Sequence, residues 1–223
     1  SLLQIAAHEE SIPVPELYRI CQAARDLTRS GPYKVGRVIA RPFVGVSGAY
    51  QRTANRHDFA LTVPSYNLLQ DLLTQGQQVW AVGKIQDIFA GTAFTQAVHT
   101  SSNDDGMART MEFYQQLQQG LLFVNLVDFD MKYGHRRDIV GYGQALAVFD
   151  GQLGQLLQQL DEETLLIITA DHGCDPGYSG TDHTREYVPL LLCGHMVKDN
   201  DGVDTRSSFV DLAATLADYF AIT

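Results

Sequence analysis

Cysteine is scarce in this chain: Cys21, Cys174 and Cys193 are scattered over 223 residues. Thiols so few and so far apart exclude a disulfide framework and a cysteine-built structural zinc site. A reducing cytosol is then the simplest compartment, with the thiols expected to be buried and unpaired. Cys174 attracts notice because it lies just after His172. Basic residues are also in short supply, Lys and Arg numbering 16 against 26 Asp and Glu, for a formal charge of -10. A surface of that balance cannot neutralise a phosphate backbone, which excludes nucleic acid as a general partner. A few local cations still suffice for a small phosphate. No apolar run approaches the roughly 18 residues of a membrane span, and no basic-then-apolar signal opens the chain, so no membrane partner is expected. The chain begins with Ser1, and Leu2 to Ala7 reads as the interior of a strand or core segment, so we expect its start not to be a natural terminus.

What is present is the composition of a globular protein, 45% hydrophobic and 19% charged, which argues against disorder and supplies enough apolar surface for a core. After the opening apolar segment, Pro13 introduces a helix expected to reach about Arg29, with Leu17, Ile20, Cys21, Ala24 and Leu27 on one face. A strand over Val35 to Ala40, a turn from Gly45 to Gly48 and a polar run from Gln51 to Asp58 follow. Short β-like pieces give way to alternating helices and strands at Pro64–Ser65, which we take as a domain boundary. Beyond it the pattern predicts a helix over Tyr66–Thr74, a strand over Val79–Val82 and a helix over Asp105–Gln119. A strand over Leu121–Val127, a helix over Tyr142–Leu160, strands near Leu165–Ile168 and Tyr187–Leu192, and a helix over Ser207–Phe220 complete the series. Alternation on this scale predicts an α/β fold of the doubly wound type, with ligand groups gathered beyond the carboxyl ends of strands.

Chemistry concentrates where two of those strands end. Leu165 to Ile168, read as a strand buried on both faces of a parallel sheet, runs into Asp171, His172 and, after a Gly/Pro-rich loop, His183. Leu121 to Val127 likewise runs into Asp130 and His135. Adjacent residues of an extended chain point to opposite sides, so Asp171 and His172 serve one centre only if the backbone turns there; otherwise they address neighbouring centres. The alternative is a hydrophilic loop with incidental histidines, which a second cluster at a second strand end disfavours. Carboxylate oxygen with imidazole nitrogen suits a divalent ion such as manganese or zinc, left electrophilic enough to polarise a phosphoryl oxygen. Asp130, His135, Asp171, His172 and His183 are more ligands than one tetrahedral centre with an open position needs, which implies two metals. His8, His57, His99 and His195 have no such context and read as surface or structural residues. Arg37, Arg41, Arg52 and Arg56 precede the boundary and Lys84 follows it; Arg offers a phosphate two parallel hydrogen bonds. Gly83-Lys84 lacks the flanking residues of a P-loop.

Six segments together resemble the phosphopentomutase family of the alkaline phosphatase superfamily: Gln4-Ile-Ala-Ala-His-Glu9, Gly36-Arg-Val-Ile-Ala-Arg-Pro-Phe43, Arg52-Thr-Ala-Asn-Arg-His-Asp58, Gly83-Lys-Ile-Gln-Asp-Ile-Phe89, Asn125 to Asp138, and Thr169 to Leu190. The resemblance implies the C-terminal part of an alkaline-phosphatase-like α/β core, residues 64–223, with part of an α+β cap domain, residues 1–63. It implies two Mn2+ ions, with Zn2+ or Mg2+ as alternatives: Asp130, His135 and His183 on one, Asp171 and His172 supplying part of the other. Arg37, Lys84 and, less strongly, Arg52 would meet the sugar phosphate. The implied reaction interconverts (deoxy)ribose 1-phosphate and (deoxy)ribose 5-phosphate in the cytoplasm, in nucleoside catabolism, through a phosphothreonine, with a sugar bisphosphate as activator. The family's nucleophilic Thr and an early metal-ligating Asp have no counterpart here, so the nucleophile is not present in this chain. The chain is therefore expected to be an inactive fragment whose partner is the missing N-terminal part of the same protein. Two other readings stand beside this one: a superfamily phosphatase or mutase-like paralogue acting on another phosphorylated metabolite, and a metal-binding scaffold fragment without catalysis.

Overall fold

The computed structural model describes residues 2–61, 63, 67–198 and 202–222. The chain divides into two compact units, Ser1–Val63 and Pro64–Thr223. Pro64 and Ser65, where the sequence suggests a boundary, and Tyr66, where it starts a helix, lie outside the described residues.

The first unit is a βαβ turn extended by short antiparallel strands. Strand β1 (Leu2–His8) runs parallel to β2 (Arg37–Val44), in register from Leu2 opposite Arg37 to His8 opposite Phe43. Helix α1 (Val14–Leu27) makes the crossover, with proline in its first turn, where the missing N–H has no intrahelical partner to lose. The polar run resolves into β3 (Gln51–Arg52) and β4 (His57–Ala60), both antiparallel to β2. The gap between their ladders falls at Arg41–Pro42, where proline has no N–H to donate. Side chains alternate across β2: Val38, Ala40 and Pro42 are fully buried, and the first two pack with Ala7, Leu17 and Cys21 of the core.

Helix α1 buries the expected stripe except at its last member, with Ile20 and Ala24 half-buried. Leu17 and Cys21 are buried, but Leu27 is 81% exposed, and Arg25 takes the next inward place at 3%. At 100° per residue, Leu27 sits about 120° around the axis from Cys21, whereas residues four apart stay on one face. The Arg25 guanidinium survives burial by donating to backbone carbonyls, Thr28 at 2.6 Å, Val35 at 2.8 Å and Gly36 at 3.3 Å.

In the second unit β5 (Gln78–Val82) lies between β6 (Gln96–Val98) and β7 (Gly120–Val124), all parallel. Helix α2 (Leu68–Thr74) precedes the sheet, α3 (Ile85–Ile88) joins β5 to β6, and α4 (Asn103–Gln116) joins β6 to β7. Val79, Trp80, Ala81 and Val82 are buried, the signature of a central parallel strand. Gly83 makes the turn at the end of β5: its φ is +84°, and a Cβ there would lie 2.3 Å from the Asn125 carbonyl oxygen, so only glycine lets the two chain segments meet.

Beyond β7 come a π-helical turn (Phe129–Gly134), α5 (Ile139–Leu157), β8 (Leu166–Thr169), β9 (Leu190–Cys193) and α6 (Val210–Tyr219). Here the sequence reading needs correction. Strand β8 pairs antiparallel with β9, Leu166 opposite Cys193 through Thr169 opposite Leu190, and its residues are half-buried or exposed. Among the described residues it joins no parallel sheet. A short apolar run records that a strand is covered but carries no information about the direction of its partner; the partner is the limb returning from the 170–189 loop. Cys193 is exposed, again contrary to expectation, whereas Cys21 and Cys174 are buried. The alternation of helices and strands gives the α/β class expected from the sequence.

Candidate metal centre

Asp130 and His135 stand at the two ends of the π-helical turn that follows β7. The wider turn carries residues five apart back to one side, and the Asp130 carbonyl accepts the His135 N–H at 2.9 Å. His183 arrives from the loop between β8 and β9, which folds back on itself through a bridge between Gly173 and Thr184. The Nε2 atoms of His135 and His183 each lie 3.3 Å from Asp130 Oδ1, and the donor atoms of the trio fall within 4.8 Å of one another. Donors around a tetrahedral ion with bonds of about 2.0–2.1 Å stand roughly 3.3 Å apart, so the spacing suits one divalent cation.

The environment fits such a cation. Asp130 Oδ1 is buried and has no hydrogen-bond partner among the described residues, an arrangement that is unfavourable unless a positive group completes it. His135 Nδ1 lies 2.7 Å from the Thr181 carbonyl oxygen. A carbonyl only accepts, so Nδ1 carries a hydrogen and Nε2 is the ring nitrogen turned toward Asp130. The His183 imidazole is held below the usual histidine range, first by burial and then by His172, against the opposing pull of Asp130. It is therefore neutral, as a ligand must be, at neutral pH.

Asp171 and His172 converge on a second position. The chain bends there, bringing Asp171 Oδ2 to 3.5 Å from His172 Nε2, so the two side chains are not splayed as on an extended strand. His172 Nδ1 faces the Gly173 carbonyl oxygen at 3.0 Å, which fixes its tautomer in the same sense. The His172 ring stacks on His183 with centroids 3.6 Å apart and planes 17° from parallel. Of the five expected ligands, three thus form one cluster and the other pair adjoins it through that stack.

Of the neighbours, Asp128 and Gly134 were not singled out in the sequence, whereas Cys174 was. Asp128, inside the same motif, is turned away: Asn103 N donates to it at 3.0 Å and Asp128 N returns a bond to Asn103 Oδ1 at 2.9 Å, locking the start of α4 to the entry of the π-helical turn. The Cys174 thiol is pushed up to about 11, by burial and then by its hydrogen bond to Asp130 and that carboxylate's charge. Its proton stays on at neutral pH, and the thiol serves as a donor to Asp130. Gly134 makes room for it: a Cβ there would lie 2.5 Å from Cys174 Sγ. Of the other histidines, His8 bonds the Gly45 carbonyl oxygen at 2.9 Å and His57 packs on Phe59 with ring centroids 4.6 Å apart.

The expected sugar-phosphate residues fall in separate units and are described separately. In Ser1–Val63, Arg37 approaches Asp58 at 3.6 Å, and Arg56 pairs with the same carboxylate at 2.7 Å. Arg41 is held below the usual arginine range, by burial first and then by the charges of Arg52 and Arg56, which marks a basic patch around Asp58. In Pro64–Thr223, Lys84 follows Gly83 at the end of β5 and lines a cavity of about 380 Å³ with Ser101, Ser102, Lys132 and Arg136.

Comparison with known proteins agrees with this chemistry. Residues 22–223 match the model of the Metalloenzyme superfamily. The chain is 53% identical over 222 residues to a protein named phosphopentomutase from Caldanaerobacter subterraneus subsp. tengcongensis, covering 100% of this chain and 56% of that one. It is 50% identical to a phosphopentomutase from Lachnoclostridium phytofermentans, covering 100% of this chain and 57% of the relative. The chain thus spans little more than half the length of the curated relatives it matches. Among solved structures, the PH0037 protein from Pyrococcus horikoshii aligns with a TM-score of 0.50 at 16% identity, over 72% of this chain and 49% of that one, a likeness of fold alone.

Proposed function

We propose, from the premise that this chain belongs to the Metalloenzyme superfamily, that it is part of a metal-dependent phosphoryl-transfer isomerase interconverting (deoxy)ribose 1-phosphate and (deoxy)ribose 5-phosphate. The carrying observation is the meeting of Asp130, His135 and His183 around a buried, unpartnered carboxylate oxygen in a chain half identical, over its whole length, to proteins named phosphopentomutase. Asp130, His135 and His183 would hold one divalent ion, Mn2+ in the first instance and Zn2+ or Mg2+ otherwise; Asp171 and His172 would supply part of a second site. Bound ions of this kind supply Lewis acidity toward phosphoryl oxygens.

The chain's own residues do the rest of the work assigned to them. His135 turns Nε2 toward Asp130 because its other ring nitrogen donates to the Thr181 carbonyl oxygen, and partial desolvation holds His183 below the usual histidine range. Residues 1–63 act as part of a cap, where Arg37 and Arg52 offer charge-assisted hydrogen bonds to the sugar phosphate; residues 64–223 act as the later part of the core, where Lys84 offers another. The nucleophilic Thr and the remaining metal-ligating Asp come from sequence outside this chain, and a sugar bisphosphate primes the enzyme. The cytoplasmic setting belongs to the same proposal and rests on the resemblance. Separately, no helix among the described residues is long and apolar enough to cross a membrane.

The test is turnover of ribose 1-phosphate by a form as long as the relatives, with Mn2+. Conversion to ribose 5-phosphate that falls by orders of magnitude in Asp171→Ala is expected. Release of inorganic phosphate without isomer points instead to a phosphatase, and an unchanged rate in the variant sinks the assignment of Asp171.

A further inference from the structure

His183 reaches its partners from a loop with almost no regular structure, and something must fix it there. Within the loop, Asp175 N donates to Thr184 Oγ1 at 2.7 Å and Gly177 N to Asp175 Oδ1 at 2.7 Å, but these bonds travel with the loop. Anchors to the other half of the centre include the Cys174 thiol on Asp130, His135 through the Thr181 carbonyl, and Arg137. From Arg137, Nη1 donates to the Asp175 carbonyl oxygen at 2.5 Å, Nη2 to the Asp182 carbonyl oxygen at 3.1 Å, and Nε to that of Gly180. One guanidinium therefore ties the outgoing limb, the returning limb and the residue directly before His183 to the segment that bears Asp130 and His135. Its donors form a rigid planar fork that an ammonium cannot reproduce.

The backbone at this position adds a second observation. Arg137 has a φ of +59°, in the left-handed region that residues with a Cβ seldom adopt. Its N–H closes the π-helical turn on the Gly134 carbonyl at 3.1 Å, and the next residue, Asp138, caps α5 through Gly141 N at 2.8 Å. Glycine would satisfy that junction with less strain, so the side chain accounts for an arginine standing there.

We infer that Arg137 is a positioning residue that sets His183 opposite Asp130 and His135; its bearing on metal binding rests on the reading of that trio as a metal site. The decisive variant is Arg137→Gly, which keeps the turn and removes the fork, with Arg137→Lys retaining the charge alone. Hydrogen exchange of the 175–183 amides is measured without metal, and Mn2+ affinity by calorimetry. Both variants are expected to lose protection in the loop and to bind Mn2+ roughly 10- to 100-fold more weakly. Unchanged loop protection, or a loosened loop with unchanged affinity, overturns the inference. If the parent chain binds no divalent ion while its loop still loosens on substitution, the metal reading fails and the placement of His183 by Arg137 stands.

Discussion

Replacing Asp130 by Asn separates the metal's contribution from that of the fold. The side chain keeps its shape but loses its charge, and the amide can donate to a histidine nitrogen where the carboxylate oxygen, 3.3 Å from both Nε2 atoms, could not. Because Asp130 Oδ1 is buried without a partner, giving that position a donor should stabilise the metal-free chain by about 1 kcal/mol. The metal-bound state should respond in the opposite sense. A ligand at 100 times its Kd adds about 2.7 kcal/mol to a folded state that alone binds it. For a domain of about 150–250 residues each kcal/mol moves Tm by about 2–4 °C, so Mn2+ should raise the parent's Tm by roughly 5–10 °C. Asp130→Asn should start a few degrees higher and gain almost nothing. Thermal denaturation followed by circular dichroism, with and without Mn2+, checks both signs at once. An equal Mn2+ shift in parent and variant would refute the reasoning.

Three further outcomes follow from particular groups. His183 is held below its ordinary range, so between its folded value and about 6.5 the unfolded chain binds more protons; stability should fall as pH drops below about 6.5 and level off below the folded value. Without metal, His183→Gln should flatten that part of a Tm–pH curve, and a curve identical to the parent's would count against it. With the Cys174 thiol pushed up to about 11, about one molecule in a thousand is thiolate at pH 8, so iodoacetamide followed by peptide mapping should label exposed Cys193 and spare Cys174. Arg25→Leu should lower stability by about 1–3 kcal/mol by stranding the carbonyls it bonds, whereas Leu27→Gln should stay within about 0.5 kcal/mol; urea melts that reverse this order would restore the original stripe.

Both approaches to the centre could be read from the chain because each is a continuous apolar run ending in Asp and His. The resemblance to phosphopentomutase drawn from six motifs agrees with the relatives at 50% identity and above. The last position of the α1 stripe was misread for a specific reason: hydrophobicity nominates Leu27, but helical geometry puts Arg25 inward, and its burial depends on carbonyls from residues distant in sequence. Pairing direction was misread at β8 because its partner is selected by how the 170–189 loop returns.

Taken alone, the sequence determined the class of fold, the ends of the strands that carry chemistry and the side chains able to hold a divalent ion, since periodicity and ligand type are local properties. Tertiary structure decided which of those side chains meet. The meeting of His183 with Asp130 and His135, the proton on Cys174 and the grip of Arg137 all depend on distances between segments some forty to fifty residues apart, and the stacking of His172 on His183 depends on how their loop folds back; no local pattern encodes such distances.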